Sequence, residues 1–161
     1  MFNFLKKRAI SDDQMVDVTD GTLINITDVN DEMFSKKLLG DGIAIRPEND
    51  YAIIYAPVSG TLEVLFPTGH AFCIKTATGV ETMVHIGIDT VMSNGKGFRL
   101  LRKKQGDSVR AGDPIVEVDI RELKEKYDMS IMVIVTETNG KSINYISPQH
   151  IRSLQQIAKI A

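Results

Sequence analysis

The stretch HAFCIKTATGVETMVHIGIDTV, residues 70–91, reads as two short alternating strands around a central turn. Alternation of apolar and polar residues over five or six positions marks half-buried β-strands, and the Thr-Ala-Thr-Gly cluster between them marks a hairpin. Two of the chain's three histidines, His70 and His85, flank this hairpin. A turn centred on Ala77-Thr78 sets residue 70 opposite residue 85, where side chains share a face with Cβ atoms about 4.5–5.5 Å apart. A turn centred on Thr78-Gly79 pairs His85 with Phe72 instead, and a longer loop ending in Gly79 restores the first register. Two imidazoles that close can hold one small anion or metal ion between them.

Working outward, the same pattern of short runs continues from about Met15 to Val118. DGTLINI, GDGIAIRP, AIIYAPVSG, TLEVLF and DPIVEVDI are each broken from the next by Gly, Asp, Asn or Pro. Many short strands with frequent turn signals predict an all-β antiparallel sandwich or barrel. DEMFSKKLL and DIRELKEKYD have helical spacing, with Asp31 and Asp119 as N-caps. Gly21-Thr22-Leu23 recurs as Gly60-Thr61-Leu62, and at the same offset Gly40 falls on Gly79. That constant offset indicates two similar β-motifs packed together, a duplicated arrangement. The C-terminal SPQHIRSLQQIAKI predicts a closing amphipathic helix, with Ser147 as N-cap, Pro148 at the first helical position, and Ile151, Leu154, Ile157 and Ala158 as its apolar stripe.

At 161 residues the chain has the length of one domain. Residues 15–161 are expected to form that domain, and residues 1–14 a tail. A net charge of −2 leaves no basic excess for phosphate neutralisation, which argues against nucleic-acid binding. The single cysteine, Cys73, rules out an internal disulfide framework and fits a cytoplasmic location. No apolar run reaches the roughly 20 residues of a membrane-spanning helix. In MFNFLKKRAI the apolar residues precede Lys6, Lys7 and Arg8, the reverse of a signal peptide. This tail reads either as a solvated end or as an amphipathic segment that touches an anionic membrane surface.

The chemistry concentrates at His85. A neutral imidazole nitrogen is a competent nucleophile near pH 7, because its unperturbed pKa is about 6.5. His70 can bring a second imidazole, and Thr68 lies two residues before it. Asp89 supplies a carboxylate on the same face if the strand stays extended, and Gly87 removes bulk beside the ring. Neighbouring His and Thr donors can stabilise phosphoryl oxygens, and the apolar Phe66, Phe72 and Met83 can keep water away from a labile N–P bond. Rival chemistries lack their motifs: there is no GxSxG elbow, no Walker A loop and no HExxH. Two histidines can still share zinc with a partner's carboxylate.

GDGIAIRP (40–47), APVSGTL (56–62), FPTGHAF (66–72), GVETMVHIGIDTV (79–91), GKGF (95–98) and VRAGDPIVEVD (109–119) together resemble the glucose-type IIA component of the bacterial sugar phosphotransferase system. The resemblance runs from about Asp17 to Asp128, in the family's order. It implies an antiparallel β-sandwich that takes a phosphoryl group from the phosphocarrier protein HPr and passes it to a sugar-specific IIB domain during sugar import. It also implies roles: His85 as acceptor through Nε2, His70 as hydrogen-bond donor to the phosphoryl group, Thr68 as the residue orienting His70, and Asp89 as the acidic neighbour. Met33, Phe34, Leu38, Leu39, Phe66 and Met83 match the apolar surface on which partners dock. No cofactor is required by this chemistry, with zinc through His70 and His85 expected only at an interface between proteins.

The chain departs from the pattern at Thr82, where the family usually carries an aliphatic or aromatic residue, and at Val18 to Gly21, where VTDG stands in place of a Pro-containing APxxG. The Ser-Pro step expected after Asp128 is also missing, and the family ends in a strand where this chain predicts a helix. The basic tail and this C-terminal helix favour a second expectation, a regulatory binding protein whose phosphorylation state selects its partner.

Overall fold

The structure, a computed structural model, describes residues 10–161. The amphipathic tail expected within the first 14 residues lies outside the described residues up to Ala9, and Gln14 already belongs to a strand. The strands in chain order are β1 (Gln14–Val16), β2 (Gly21–Asn25), β3 (Asp41–Pro47), β4 (Tyr51–Tyr55), β5 (Gly60–Leu65), β6 (Ala71–Lys75) and β7 (Glu81–Ile86). They continue as β8 (Phe98–Leu100), β9 (Ser108–Val109), β10 (Pro114–Asp119), β11 (Ile131–Glu137), β12 (Ile143–Tyr145), β13 (Gln149–Ile151) and β14 (Gln156–Ile160). Two single-turn helices interrupt them, α1 (Glu32–Ser35) after β2 and α2 (Ile120–Leu123) after β10. As the sequence predicts, Asp31 caps α1 by accepting from Met33 N at 2.9 Å, and Asp119 caps α2 by accepting from Glu122 N at 3.0 Å.

One large sheet carries the order β13-β2-β3-β11-β7-β6-β5-β9, and two small sheets, β1-β14-β12 and β4-β10-β8, cover one of its faces. The pairings between neighbouring strands are antiparallel throughout the described residues. The expected sandwich follows from the period-2 pattern. Leu23, Ile45, Val84, Ile86, Phe72 and Ile131 point inward against Met15, Ile54, Val116 and Ile157 of the small sheets.

The opposite face of the large sheet holds a second, smaller apolar cluster. Ile24, Ala44 and Met132 lie in register across β2, β3 and β11, and the same row continues through His85 to Ala71. Phe34 of α1, with Ile26 and Val29, packs onto this row. A histidine therefore interrupts an otherwise apolar row on the outer face, and this is what creates the site.

Two expectations fail. The C-terminal helix is absent: the segment forms β13, which pairs with β2, and β14, which pairs with both β1 and β12. Ser153 and Leu154 both adopt positive φ between them, which a helix cannot accommodate. Splitting the segment lets Ile151, Ile157, Ala158 and Ile160 all reach buried positions while β14 fills the gap between two strand edges. Tertiary pairing thus overrides a local helical period. The second failure is one of omission. The central strand β11, between β3 and β7, is an unbroken apolar run buried on both faces, so it lacks the alternation that reveals its neighbours.

Candidate functional site

The hairpin of β6 and β7 takes a register between the two considered above. Ala71 lies opposite His85 and Phe72 opposite Val84. The loop is Ala77-Thr78-Gly79, closed by Thr76 N donating to Val80 O at 2.9 Å and Gly79 N donating to Thr76 O at 3.0 Å. Gly79 at φ 86° makes it the three-residue hairpin type that ends in a left-handed residue. In this register Met83 and His85 face outward, and Val84 and Ile86 face the core.

His70 stands one residue before β6, its carbonyl accepting from Ile86 N at 2.7 Å. The tight turn from Phe66 to Gly69 turns its ring toward His85 rather than into the core. The two rings meet edge to face, with centroids 5.3 Å apart and planes at 80°. Phe34 packs on His85 at 5.2 Å and Phe66 on His70 at 5.0 Å, so an aromatic ring braces each imidazole.

Hydrogen bonds fix which ring nitrogens face the reaction. Nδ1 of His85 lies 2.8 Å from the carbonyl oxygen of Gly87. A carbonyl only accepts, so Nδ1 carries the proton and Nε2 of the neutral ring keeps its lone pair. Nδ1 of His70 lies 2.6 Å from Thr68 Oγ1. With the hydroxyl donating to Nδ1, Nε2 of His70 carries a proton it can give to an anion. Burial lowers the pKa of both rings below the ordinary histidine value. At His85 the Gly87 carbonyl and the carboxylates of Asp31 and Asp89 work against that effect, while at His70 the neighbouring His85 adds to it.

A shallow depression of about 340 Å³ surrounds the pair, lined by Met33, Phe34, Leu39, Phe66 and Met83 together with both histidines and Asp89. Leu38 is 66% exposed but stands outside it. Asp89 reaches the depression by a route other than the one expected. The strand does not stay extended: β7 ends at Ile86, Gly87 turns with φ 81°, and Asp89 is left-handed with φ 60°. Gly87 likewise serves the turn rather than ligand access, since a Cβ there would lie 2.5 Å from Thr90 Cγ2 and 2.9 Å from Met129 Sδ. Sequence reading missed Asp31, seen only as a helix cap, and the exposed Val91 that extends the apolar surface. It also missed the Gly87 carbonyl, a backbone atom that no residue pattern announces.

The third histidine lies elsewhere. His150 on β13 pairs with Glu48, Nε2 to Oε1 at 2.5 Å, and Arg152 shares the same carboxylate. Cys73 is free and its thiol is pushed up by burial.

The antiparallel sandwich thus presents a braced imidazole pair in an apolar depression. The family described as phosphoenolpyruvate-dependent sugar phosphotransferase system, EIIA 1, matches residues 13–141, and the chain belongs to it. It is 40% identical over 141 residues to the PTS system glucose-specific EIIA component of Mycoplasma capricolum subsp. capricolum, covering 86% of this chain and 89% of that protein. It is 44% identical over 108 residues to the N-acetylglucosamine-specific EIICBA component of Klebsiella pneumoniae; the match covers 67% of this chain and only 16% of that longer protein. Among solved structures, the glucose permease IIA of Mycoplasma capricolum superposes with a TM-score of 0.82 at 38% identity, over 90% of this chain and 93% of that one. The chain is thus a phosphotransferase component of a sugar uptake system, and a IIB domain is its partner class. No helix among the described residues is long and apolar enough to cross a membrane.

Proposed function

We propose that His85 carries the phosphoryl group, that phosphorylated HPr is its donor, and that a sugar-specific IIB domain takes the group onward. In the first step the Nε2 lone pair of His85 attacks phosphorus, a new N–P bond forms, and the bond from phosphorus to the donor breaks, its electrons leaving with HPr. His70 donates Nε2–H to a phosphoryl oxygen, and Thr68 holds His70 in the tautomer that can do so. The carrying observation is the ring pair at 5.3 Å with Nδ1 of each ring already engaged, which leaves both Nε2 atoms for the phosphoryl group. Met33, Phe34, Leu39, Phe66 and Met83 form the surface on which donor and acceptor dock, with Leu38 on its exposed margin.

The two relatives described above are named for different sugars, glucose and N-acetylglucosamine. Sugar choice therefore rests with the IIB partner and its membrane component rather than with this domain. The regulatory alternative loses one of its two supports, because the divergent C-terminal helix is in fact strand. The transfer step as proposed draws on no metal ion. The two histidines supply two nitrogen ligands, and no group of three or more His, Cys, Asp and Glu side chains able to hold a metal occurs among the described residues, so a zinc ion would need ligands from a partner.

The test is incubation with radiolabelled phospho-HPr. Wild type and His70→Ala take up label, and His85→Ala does not. Label retained on His85→Ala would overturn the assignment.

A further inference from the structure

Far from the imidazole pair, a cavity of about 560 Å³ opens between β4, the start of β10, the turn after β1 and the Ser153-Leu154 turn. It shares no residue with the depression around His85. Asp17 lines it and is 1% exposed. One carboxyl oxygen, Oδ1, accepts from Thr19 N at 3.1 Å, and the other, Oδ2, has no partner among the described residues. Burying a carboxyl with an unsatisfied oxygen is costly, so such a group signals a ligand when a cavity adjoins it.

The fold does not require an acid here. At the constant offset of the internal repeat, Gly21 corresponds to Gly60 and Asp17 to Ala56. The correspondence is structural: a Cβ at either glycine would meet a backbone carbonyl oxygen, Arg46 O at 2.2 Å or Lys75 O at 2.1 Å. Alanine serves the second copy, fully buried, where the first copy carries Asp17.

We infer that this cavity binds a small organic ammonium ion, held by Asp17 Oδ2. The lining matches that chemistry. Asp20 adds a second carboxylate, Tyr51 and Tyr55 present aromatic rings suited to a cation, and Pro114 and Leu154 give apolar wall. A bare metal ion is a poorer fit, because hard cations want about six or more oxygen ligands and the space is many times larger than one ion. The charged groups bearing on Asp17 are Asp20 and Glu48, the latter already paired to His150 and Arg152. Asp113, between Gly112 and Pro114, is paired with Lys103. Burial raises the Asp17 pKa to about 7, so a cation that needs the ionised form binds better as pH rises.

Titration with putrescine, followed by backbone amide shifts of Thr19, Tyr55 and Ser153, tests this site independently of phosphoryl transfer. Saturable shifts confined to this region are expected, with affinity about tenfold higher at pH 8 than at pH 6, from the ionised fraction of Asp17. Asp17→Ala, which copies Ala56, and Asp17→Asn, which keeps the shape, should both abolish them while leaving uptake of label from phospho-HPr unchanged. Absence of saturable shifts at pH 8, equal binding by either variant, or the same shifts from sodium or magnesium chloride would each overturn the proposal.

Discussion

His70 and His85 bring their rings to 5.3 Å although Ala71, not His70, lies directly opposite His85. The pair depends on the turn that precedes β6, so the two histidines are separable in function. His70→Ala is expected to accept label yet pass it to IIB about 10²–10³-fold more slowly, the usual cost of removing one donor to developing charge. Single-turnover transfer to a IIB domain measures it, and an unchanged rate would remove His70 from the step.

Thr68 Oγ1 lies 2.6 Å from His70 Nδ1, and on the proposed route it acts through that ring rather than on the phosphoryl group. Thr68→Val should slow onward transfer about tenfold, the equivalent of one modest hydrogen bond. Its signature is a changed His70 tautomer in imidazole nitrogen NMR spectra, and Thr68→Ser should restore both spectrum and rate. A slow variant with an unaltered tautomer would point to general disruption instead.

Both histidines have folded-state pKa values below the usual histidine value of about 6.5. The unfolded chain then binds protons first as pH falls, so their contribution to stability is full above pH 6.5 and is lost as pH drops through their folded values. Asp17 acts in the opposite sense, losing stability as pH rises from 3.8 to about 7. Urea unfolding in an Asp17→Ala background should therefore show stability rising with pH up to 6.5, and adding His85→Ala should flatten that slope.

Thr82 is 1% exposed on the core face of β7, and its hydroxyl has no partner among the described residues. Thr82→Val keeps the shape and removes the unsatisfied group, so it should stabilise the fold by about 1 kcal/mol. Thermal unfolding checks this. A lowered Tm would mean that the hydroxyl has a partner in solution.

Most of the sandwich was legible because its strands are half-buried and alternate, and the quoted motifs led to the histidines directly. What stayed hidden has physical reasons. β11 is buried on both faces and so has no period to read. β13 and β14 carry a helical spacing that only the waiting edges of β1, β12 and β2 overrule. The hairpin register depended on a three-residue loop in which Gly79, rather than the central dipeptide, sets the geometry. Asp31 looked like a cap and is one, but a cap's carboxylate can also act through space on an imidazole. Asp17 carried no motif; its significance lies in a cavity assembled from four separate segments.

β7 is held by ladders on both sides, to β6 and to β11, and the ring it carries is braced by Phe34. Such a mounting fixes the backbone that carries His85, so in the proposed transfer donor and acceptor come to the same atom in turn. On the proposed route the domain behaves as a relay post with one berth. Its kinetics should be ping-pong, and unphosphorylated HPr in excess should slow delivery by standing where IIB needs to dock.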